Sequence, residues 1–382
     1  MRAFPAVLLL SITSVHAQTW VAQAPLPAGA RQAPSSFVID GKAYVVGGWD
    51  FSTFYTQLWM YDPVLDSWTE KAPLPGPGRQ FGVGFAIDGI GYFGTGNAGD
   101  TKYNDWYAYD PVSDTWTQKA SLPGNGRKGA VGWALNGYGY VATGDAPGYS
   151  TDVYRYDPVL DQWSTLPAFA GTARRYAVGF TLGEYAYICS GQGSNGHGNT
   201  CWRFDPTDDP WLQMASYPEG CSGGMAVTLN GRAQMFRGYN GAGYASTLYE
   251  YDPQANAWTP LADFTGGIRA YATTFMVDGE GYLSMGFGTV MQNDLWKVDG
   301  IPTRLDAPVI EPARCTMSVR PGGVDIATIT TAQVEVCDAL GRAVWSSTVR
   351  AAERAVPLPS GGPYVVRVHT EGRTCTQRVV VP

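Results

Sequence analysis

Tryptophan recurs along this chain at intervals of 47 or 48 residues. A fixed period of that length is typical of folds built from repeated units, in which each unit buries its apolar faces against its neighbours. The six tryptophans of the series are Trp20, Trp68, Trp116, Trp163, Trp211 and Trp258. The period therefore indicates an array of six similar units before any local motif is considered.

Two further columns of residues keep the same period. One is a tyrosine followed four residues later by a glycine, at Tyr44, Tyr92, Tyr140, Tyr187 and Tyr282, with Gln234 in the fifth copy. The other is an aspartate with an aromatic residue three positions before it, at Asp62, Asp110, Asp157, Asp205, Asp252 and Asp299. In the second copy, the Asp88-Gly89 turn, the loop from Asn97 to Asn104 and the Asp110-Pro111 break divide the apolar pattern into four short strands. Four strands per period predict a blade, so we predict an all-β propeller of six blades over residues 18–300.

The register of these columns also predicts how the ring closes. Strands one to three of the six units extend from Arg31 to Asp299, yet no fourth-strand tryptophan follows the sixth unit. Trp20 stands without a unit of its own at the other end of the array. We therefore expect the segment around Trp20 to form the outer strand of the sixth blade, which would remove a free sheet edge.

The repeats resemble those of the kelch family. The resemblance covers roughly residues 18–300 and is carried by Arg31, Tyr44–Gly48, Trp59, Tyr61–Pro63 and Trp68. It implies a six-bladed kelch-type propeller. The double glycine typical of the family is kept only at Gly47-Gly48, so the units have diverged around their aromatic columns.

Kelch propellers include copper oxidases of the galactose oxidase type, whose copper site takes two histidines. Of the three histidines here, His16 and His369 lie outside the repeats and His197 lies within them. The resemblance does not extend to that copper site, and we expect no metal and no cofactor. His197 belongs to a glycine-rich loop, where a solvated side chain is the expected interpretation.

The N-terminus has the pattern of a signal peptide over residues 1–17. Arg2 precedes a largely apolar run, and Val15-His16-Ala17 resembles a small-residue cleavage site. A buried first strand is the competing interpretation. No stretch of the chain reaches 18 apolar residues, so we expect no membrane span.

The C-terminal part divides into a linker at 301–312 and a small β-sandwich at 313–382, predicted from prolines and then alternating strands. The second segment resembles the C-terminal sorting domain of the type IX secretion system of Bacteroidota. The matching features are the Asp338–Val344 turn, the Leu358–Val366 stretch and the final run of valines, whereas Pro321-Gly322-Gly323 replaces the usual Pro-Asn-Pro. The resemblance implies the type IX machinery as a partner and a secreted or outer-membrane-surface location in a bacterium. An ordinary accessory β-sandwich is the alternative.

A column of arginines is the first candidate ligand site. One arginine precedes the first strand of five units, at Arg31, Arg79, Arg127, Arg174 and Arg269, and Cys221 takes the place in the fifth unit. Segments leading into the innermost strands meet at one mouth of a propeller channel, so we expect a positive well suited to carboxylates. By resemblance, the same column occurs in kelch domains that bind acidic peptides and in bacterial sialic acid epimerases. The alternative is that the arginines cap loop carbonyls and lock the blades together.

Aromatic residues are frequent in the loops between strands two and three. We predict that Trp49, Tyr103, Tyr149 and Tyr239 contribute to ligand binding, by stacking on sugars or anchoring a protein. The competing interpretation is that these rings fold back between the blades. The net charge is −7 without a basic patch, which argues against nucleic acid as a partner.

These features predict a binding module that recognises a glycan or a protein at the channel mouth. The alternative is a secreted carbohydrate-active enzyme similar to a sialic acid epimerase, which would need a general acid or base near the arginines. Glu219 and Asp263 are the only carboxylates in the segments leading into the first strands. We therefore favour binding and assign no catalytic residue.

The six cysteines fall evenly into the two parts of the chain. Cys189, Cys201 and Cys221 lie in the repeats, and Cys315, Cys337 and Cys375 lie beyond them. Export permits disulfides. A bridge between Cys189 and Cys201 would staple the long loop of the fourth unit, with Cys221 as a competitor for either partner, and the sequence leaves the connectivity open.

Overall fold

The computed structural model describes residues 19–207 and 211–299, and beyond them seven strands between Thr316 and Val381. The predicted signal peptide at 1–17 and the predicted linker at 301–312 lie outside the described residues. Within the described part, the secondary structure consists of strands and turns, with no helix. The chain divides into two units, Met1–Pro302 and Thr303–Pro382.

The first unit contains six antiparallel sheets of similar build, one per sequence repeat. From the innermost strand outwards, the first blade is formed by Ser35–Ile39, Lys42–Val46, Leu58–Asp62 and Ser67–Lys71. The second is formed by Gln80–Ile87, Ile90–Ala98, Trp106–Asp110 and Thr115–Lys119, with the short strand Thr101–Lys102 paired to Ile90–Ala98. The third is formed by Val131–Leu135, Tyr138–Ala142, Val153–Asp157 and Gln162–Thr165. The next two are formed by Val178–Leu182, Tyr185–Cys189, Cys201–Phe204 and Trp211–Met214, and by Met225–Leu229, Arg232–Phe236, Leu248–Asp252 and Ala257–Pro260. A two-stranded hairpin of Gln192–Gly193 and Gly196–His197 lies in the loop of the fourth blade.

The sixth blade draws its strands from both ends of the unit. Its inner three strands are Thr273–Val277, Glu280–Phe287 and Met291–Asp299. The fourth is Thr19–Gln23, which pairs antiparallel with the third so that Trp20 lies opposite Val298. Trp20 is buried and packs edge-on against Phe236 and Phe264.

Apolar clusters lie between neighbouring blades and connect each blade to the next around the ring. Side chains alternate along each strand, so every sheet presents apolar residues to both neighbours. The tyrosine column is part of this packing. Tyr44 stacks on Phe37 of the inner strand, and Tyr140 stacks on Trp133 in the same way, with interplanar angles of 11° and 4°.

In four blades, the tryptophan of the column joins its blade to the segment that leaves the preceding one. The indole N–H of Trp68 donates to the carbonyl of Ala24 at 2.8 Å, and the Ala24 N–H donates to Asp66 at 2.9 Å. Tyr61 completes the group by donating its hydroxyl to Asp66 at 2.8 Å. Equivalent groups contain Trp116, Trp163 and Trp258. We call this arrangement the outer clamp, and it gives the period a structural cause.

A closed ring of six backbone hydrogen bonds surrounds the propeller axis. It is formed by the residues two positions after the arginine column, each donating its N–H to the carbonyl of the equivalent residue one blade back, at 2.7 to 3.1 Å. The members are Ala33, Phe81, Gly129, Tyr176, Gly223 and Tyr271. All six have positive φ, between 52° and 61°. The bond from Ala33 to Tyr271 joins the first blade to the sixth and closes the ring.

The second unit consists, in its described part, of two antiparallel sheets. One contains Thr316–Arg320, Gly323–Thr328 and Ala352–Pro357, and the other contains Ala343–Val349, Ala332–Cys337, Gly362–Thr370 and Arg373–Val381. Val334 and Val336 are buried within this unit. The Asp338–Arg342 part of the predicted sorting turn, Leu358–Gly361 and Pro321-Gly322 lie outside the described residues, so the resemblance to a sorting domain stays a prediction.

Candidate functional site

The arginine column lies inside the blades. Its five side chains are 0 to 2% exposed. Each donates from one terminal nitrogen to the carbonyl 16 residues further along, as Arg79 does to Thr95 at 3.1 Å and Arg127 to Thr143 at 2.9 Å. Arg79 also pairs with Asp105 at 2.8 Å. A guanidinium removed from water needs its donors and its charge satisfied. The expectation that these groups line an open mouth is therefore wrong, and their contacts are those of the loop-capping alternative.

The backbone of the same column links neighbouring blades. The carbonyl of Arg79 accepts from the N–H of Gly48 at 2.8 Å, and that of Arg127 accepts from Gly96 at 2.7 Å. Gly48 has a φ of +100°, and a Cβ there would lie 2.9 Å from Cδ of Arg31. All six members of the glycine column have positive φ, and a Cβ at any of them would lie 2.6 to 3.1 Å from the nearest atom, so both the backbone conformation and the close contacts exclude a side chain.

The fifth blade has no arginine at the column position, and different residues are found there. Cys221, at the arginine position, is a buried free thiol whose pKa burial raises to about 12. A guanidinium is supplied instead by Arg237, which pairs with Glu219 at 2.7 Å. Cys189 and Cys201, which share the apolar cluster of Cys221, are joined by the disulfide that the sequence allowed.

A continuous row of aromatic rings follows the loops of blades one, six and five. Centroids of successive rings lie 4.9 to 5.6 Å apart, and we call the row the aromatic arc. Its members in order are Phe54, Trp49, Phe51, Phe287, Tyr244 and Tyr239. Phe51 is 56% exposed, and the ring of His197 lies against Tyr239 at the far end. Two of the four predicted aromatic site residues, Trp49 and Tyr239, therefore belong to this row.

The other two predicted aromatic residues have different partners. The guanidinium of Arg79 lies over the ring of Tyr103 at 4.2 Å, so this ring covers a buried cation. Tyr149 lies in the loop of the third blade, and its ring faces Arg175 at 5.5 Å. No ring contact in the described part of the chain joins either tyrosine to the aromatic arc.

Three cations surround one carboxylate on blades two, three and four. Asp145, 9% exposed, accepts from Lys102 and, at 2.8 Å, from Arg175. Burial acts to raise the pKa of Asp145, but these bonds and one from the Gly148 amide outweigh it and lower the pKa. Burial, together with the charge of Arg175, lowers the pKa of Lys128. We call this group the cationic cluster.

The sequence signal for this cluster is weak. Two of its members, Lys128 and Arg175, occupy the position directly after the arginine column. The other units have Gln32, Gln80, Ser222 and Ala270 at that position. A position that differs from unit to unit carries no periodic signal. It nevertheless faces the loops, because Lys128 and Arg175 form backbone bridges with Asp145 and Gln192 of the same blades.

Three aromatic rings meet on the axis and form what we call the axial plug. Phe81 contacts Tyr176 and Tyr271 at centroid distances of 4.6 and 5.2 Å, and the two tyrosines lie 5.5 Å apart. The alternate blades place Ala33, Gly129 and Gly223 at this position, which leaves room for the rings. Cavities of about 120 and 210 Å³ lie along the inner strands, the smaller one lined in part by the plug.

The aromatic arc, the cationic cluster and the axial plug form one surface, which we call the loop face. The guanidinium of Arg175 lies 4.8 Å from the ring of Tyr176, which connects cluster and plug. Among the described residues, no group of three or more histidine, cysteine or acidic side chains is arranged to hold a metal ion. The same residues contain no helix with the length and apolar character needed to span a membrane.

The two carboxylates considered for catalysis have other contacts. Glu219 is held in its ion pair with Arg237, and exposed Asp263 accepts a hydrogen bond from Ser246 at 3.1 Å. Neither contact is specific to proton transfer.

Comparisons with known proteins agree with this architecture. The model of the Kelch motif matches residues 30–75. The chain carries a Kelch motif. Among solved structures, that of YjhT is similar, with a TM-score of 0.60, 18% sequence identity, and coverage of 72% of this chain and 96% of that chain. At this identity, the similarity shows the six-bladed propeller fold alone. No curated protein sequence matches the chain.

Proposed function

We propose that this protein is a binding module whose loop face recognises an acidic glycan. The main support for this proposal is that the loop face is divided into an aromatic half and a cationic half. Blades five, six and one supply the aromatic arc, and blades two, three and four supply Lys102, Lys128 and Arg175 around Asp145.

Each half of the face suits a different part of such a ligand. Sugar rings pack on aromatic faces, and partly exposed Phe51 with its neighbours offers several in a row. Three cations against the charges of Asp145 and Asp100 leave an excess of positive charge, which favours a carboxylate on the ligand. The buried arginine column supports the proposal indirectly, since it holds the loops that present these side chains.

A glycan and peptide array probed with the full chain tests the proposal. We expect capture of carboxylated glycans by the wild type. The double variant Lys128→Ala with Arg175→Ala should lower the affinity at least tenfold, and so should the single variant Phe51→Ala. A tenfold loss corresponds to about 1.4 kcal/mol of binding free energy. The matched control is Leu160→Ser, at a 61% exposed position in the turn at the opposite ends of the strands. Equal capture by all variants, or capture of acidic peptides alone, would contradict an acidic glycan as the ligand.

We also propose that the chain is exported and is then secreted or held at the bacterial outer-membrane surface. Support comes from the signal-like pattern at 1–17, the sorting-domain resemblance at 313–382, and the Cys189–Cys201 disulfide, which suits an oxidising compartment. In a bacterium with type IX machinery, deleting 313–382 should retain the protein in the periplasm. Its appearance outside the cell at the full-length level would refute the sorting role.

A further inference from the structure

Arg174 differs from Arg79, Arg127 and Arg269 in having no charged partner. Arg79 and Arg269 pair with Asp105 and Asp294, and Arg127 pairs with Asp152. In the fourth blade, the place of these aspartates is taken by Thr200.

All the hydrogen bonds of Arg174 go to neutral acceptors. They are the carbonyls of Thr172, Ser190 and Thr200 and the hydroxyls of Thr172 and Thr200, at 2.7 to 3.4 Å. Burial lowers the pKa of Arg174 to about 10, and no neighbouring charge opposes that effect. Burial lowers the pKa of Arg31 to about 10 as well, and Arg31 also lacks a carboxylate in contact, but there Tyr55, Asp50 and Glu70 act to raise the pKa. A buried cation without a counter-charge is costly, so the fourth blade offers an electrostatic reason to hold an anion.

A pocket of about 80 Å³ lies beside Arg174 and exists because of a second substitution in this blade. In blades one and two, Tyr55 and Tyr103 donate their N–H to the glycine column and cover the arginine with their rings, at 3.9 and 4.2 Å. Gly198 makes the equivalent backbone bond in the fourth blade and has no side chain to do this. The space is lined by Arg174, Thr172 and the glycine-rich 191–198 loop.

Two polar groups on residues that line the pocket have hydrogen-bonding capacity left for a bound anion. Nδ1 of His197, which lines the pocket, is buried and has no hydrogen-bond partner among the described residues. The hydroxyl of Thr172 accepts a bond from Arg174, which leaves its own proton for another acceptor. The liquid volume of a water molecule is about 30 Å³, so the pocket admits a group of two to three heavy atoms.

We propose that this pocket of the fourth blade binds a small monovalent anion, either a halide or a carboxylate the size of formate, as the counter-ion of Arg174. The site does not depend on the proposed function of the loop face. It replaces within one blade the charge that an aspartate supplies in three others.

The test follows the unfolding temperature of the full chain as sodium bromide or sodium formate replaces sodium gluconate at constant ionic strength. A ligand that binds only the folded state raises that temperature in a saturable manner. We expect such a rise for the wild type and none for Thr200→Asp, which places a carboxylate where Asp105 stands in the second blade. Absence of a saturable rise in the wild type, or an equal rise in Thr200→Asp, overturns the proposal.

The matched control is Asp105→Thr, which removes the counter-charge of Arg79 while Tyr103 still covers the guanidinium. We expect this variant to be destabilised without an additional saturable response to bromide. A new saturable response would show that an unpaired arginine is sufficient to bind the anion and that the pocket is not required.

Crystals of the wild type soaked in bromide test the site without any variant. An anomalous peak beside Arg174 supports the site, and ordered bromide elsewhere without one here overturns it.

Discussion

One position in this repeat shows how a buried charge is accommodated in several ways. Arg79 is neutralised by Asp105, Arg31 lies against Tyr55 and near more distant carboxylates, and Arg174 has only neutral acceptors. In the fifth blade the guanidinium comes from a different position altogether. The column is therefore retained for its hydrogen bonds to loop carbonyls, while the counter-charge varies from blade to blade.

This difference predicts unequal costs for the same substitution. Arg79→Met leaves Asp105 without its partner, and breaking a buried pair in this way costs about 3 kcal/mol or more. Arg174→Met leaves only neutral acceptors, so we expect about 1 to 2 kcal/mol. Urea unfolding of both variants checks the order, and an Arg174→Met cost equal to or above that of Arg79→Met would contradict it.

The outer clamp predicts a pH-dependent contribution. Tyr109 donates to Asp114 at 2.7 Å, whereas Tyr251 donates to neutral Asn256 at 2.8 Å. Burial acts to raise the pKa of Asp114, but the Ala72 amide, Tyr109 and Lys71 lower it overall. A carboxyl with a lowered folded pKa stabilises above its unfolded pKa of about 3.9 and loses that contribution as pH falls through the folded value.

We therefore expect Tyr109→Phe to cost about 1 kcal/mol at pH 7 and less below about pH 4. Tyr251→Phe, the matched control, should cost a similar amount at both pH values because its acceptor does not titrate. Chemical unfolding at pH 7 and pH 3 measures both. A Tyr109→Phe cost that is the same at the two pH values would refute the charge-assisted bond.

At the scale of the element, each blade is completed by contacts from its neighbours. The outer clamp fastens the outer strands of blades one, two, three and five to the segment leaving the blade before each. The ring of backbone bonds joins the segments that lead into the inner strands. The axial plug depends on the same alternation, because Tyr176 occupies space that Gly129 leaves. A Cβ on Gly129 would lie 2.4 Å from the ring of Tyr176.

A pair of glycine substitutions separates this packing from backbone strain. Gly129 and Gly99 have similar φ values, +61° and +56°, but nothing lies within 4 Å of a Cβ on Gly99. Gly99→Ala should cost about 1 to 2 kcal/mol for the left-handed backbone alone. Gly129→Ala should cost about 1 to 3 kcal/mol more because it also overpacks the plug. Equal costs in thermal unfolding would show that the plug tolerates the methyl group.

For the whole molecule, periodicity predicts the residues that every unit repeats and misses those that differ. The aromatic columns predict six four-stranded sheets, and their register predicts the partner of Trp20. The burial of the arginine column is not visible in the sequence, because its counter-charges lie 25 or 26 residues later at positions where other units have Gln57 and Thr200. The axial plug and the cationic cluster alternate or vary between units, so no column reveals them.

The proposed binding face therefore depends on the residues that differ between blades. Its aromatic half and its cationic half come from opposite sides of the ring, and only the closed propeller brings them together. If the loop face binds the ligand, the ligand contacts the loops of several blades and does not contact the turns at the opposite ends of the strands.

Hydrogen–deuterium exchange of the full chain with and without the captured acidic glycan tests this most directly. We predict protection in three loops of the loop face, at 49–54, 145–149 and 239–244, and unchanged exchange in the turns at 62–66 and 157–161. Protection confined to those turns, or absent from the three loops at a saturating glycan concentration, would contradict the loop face as the binding site.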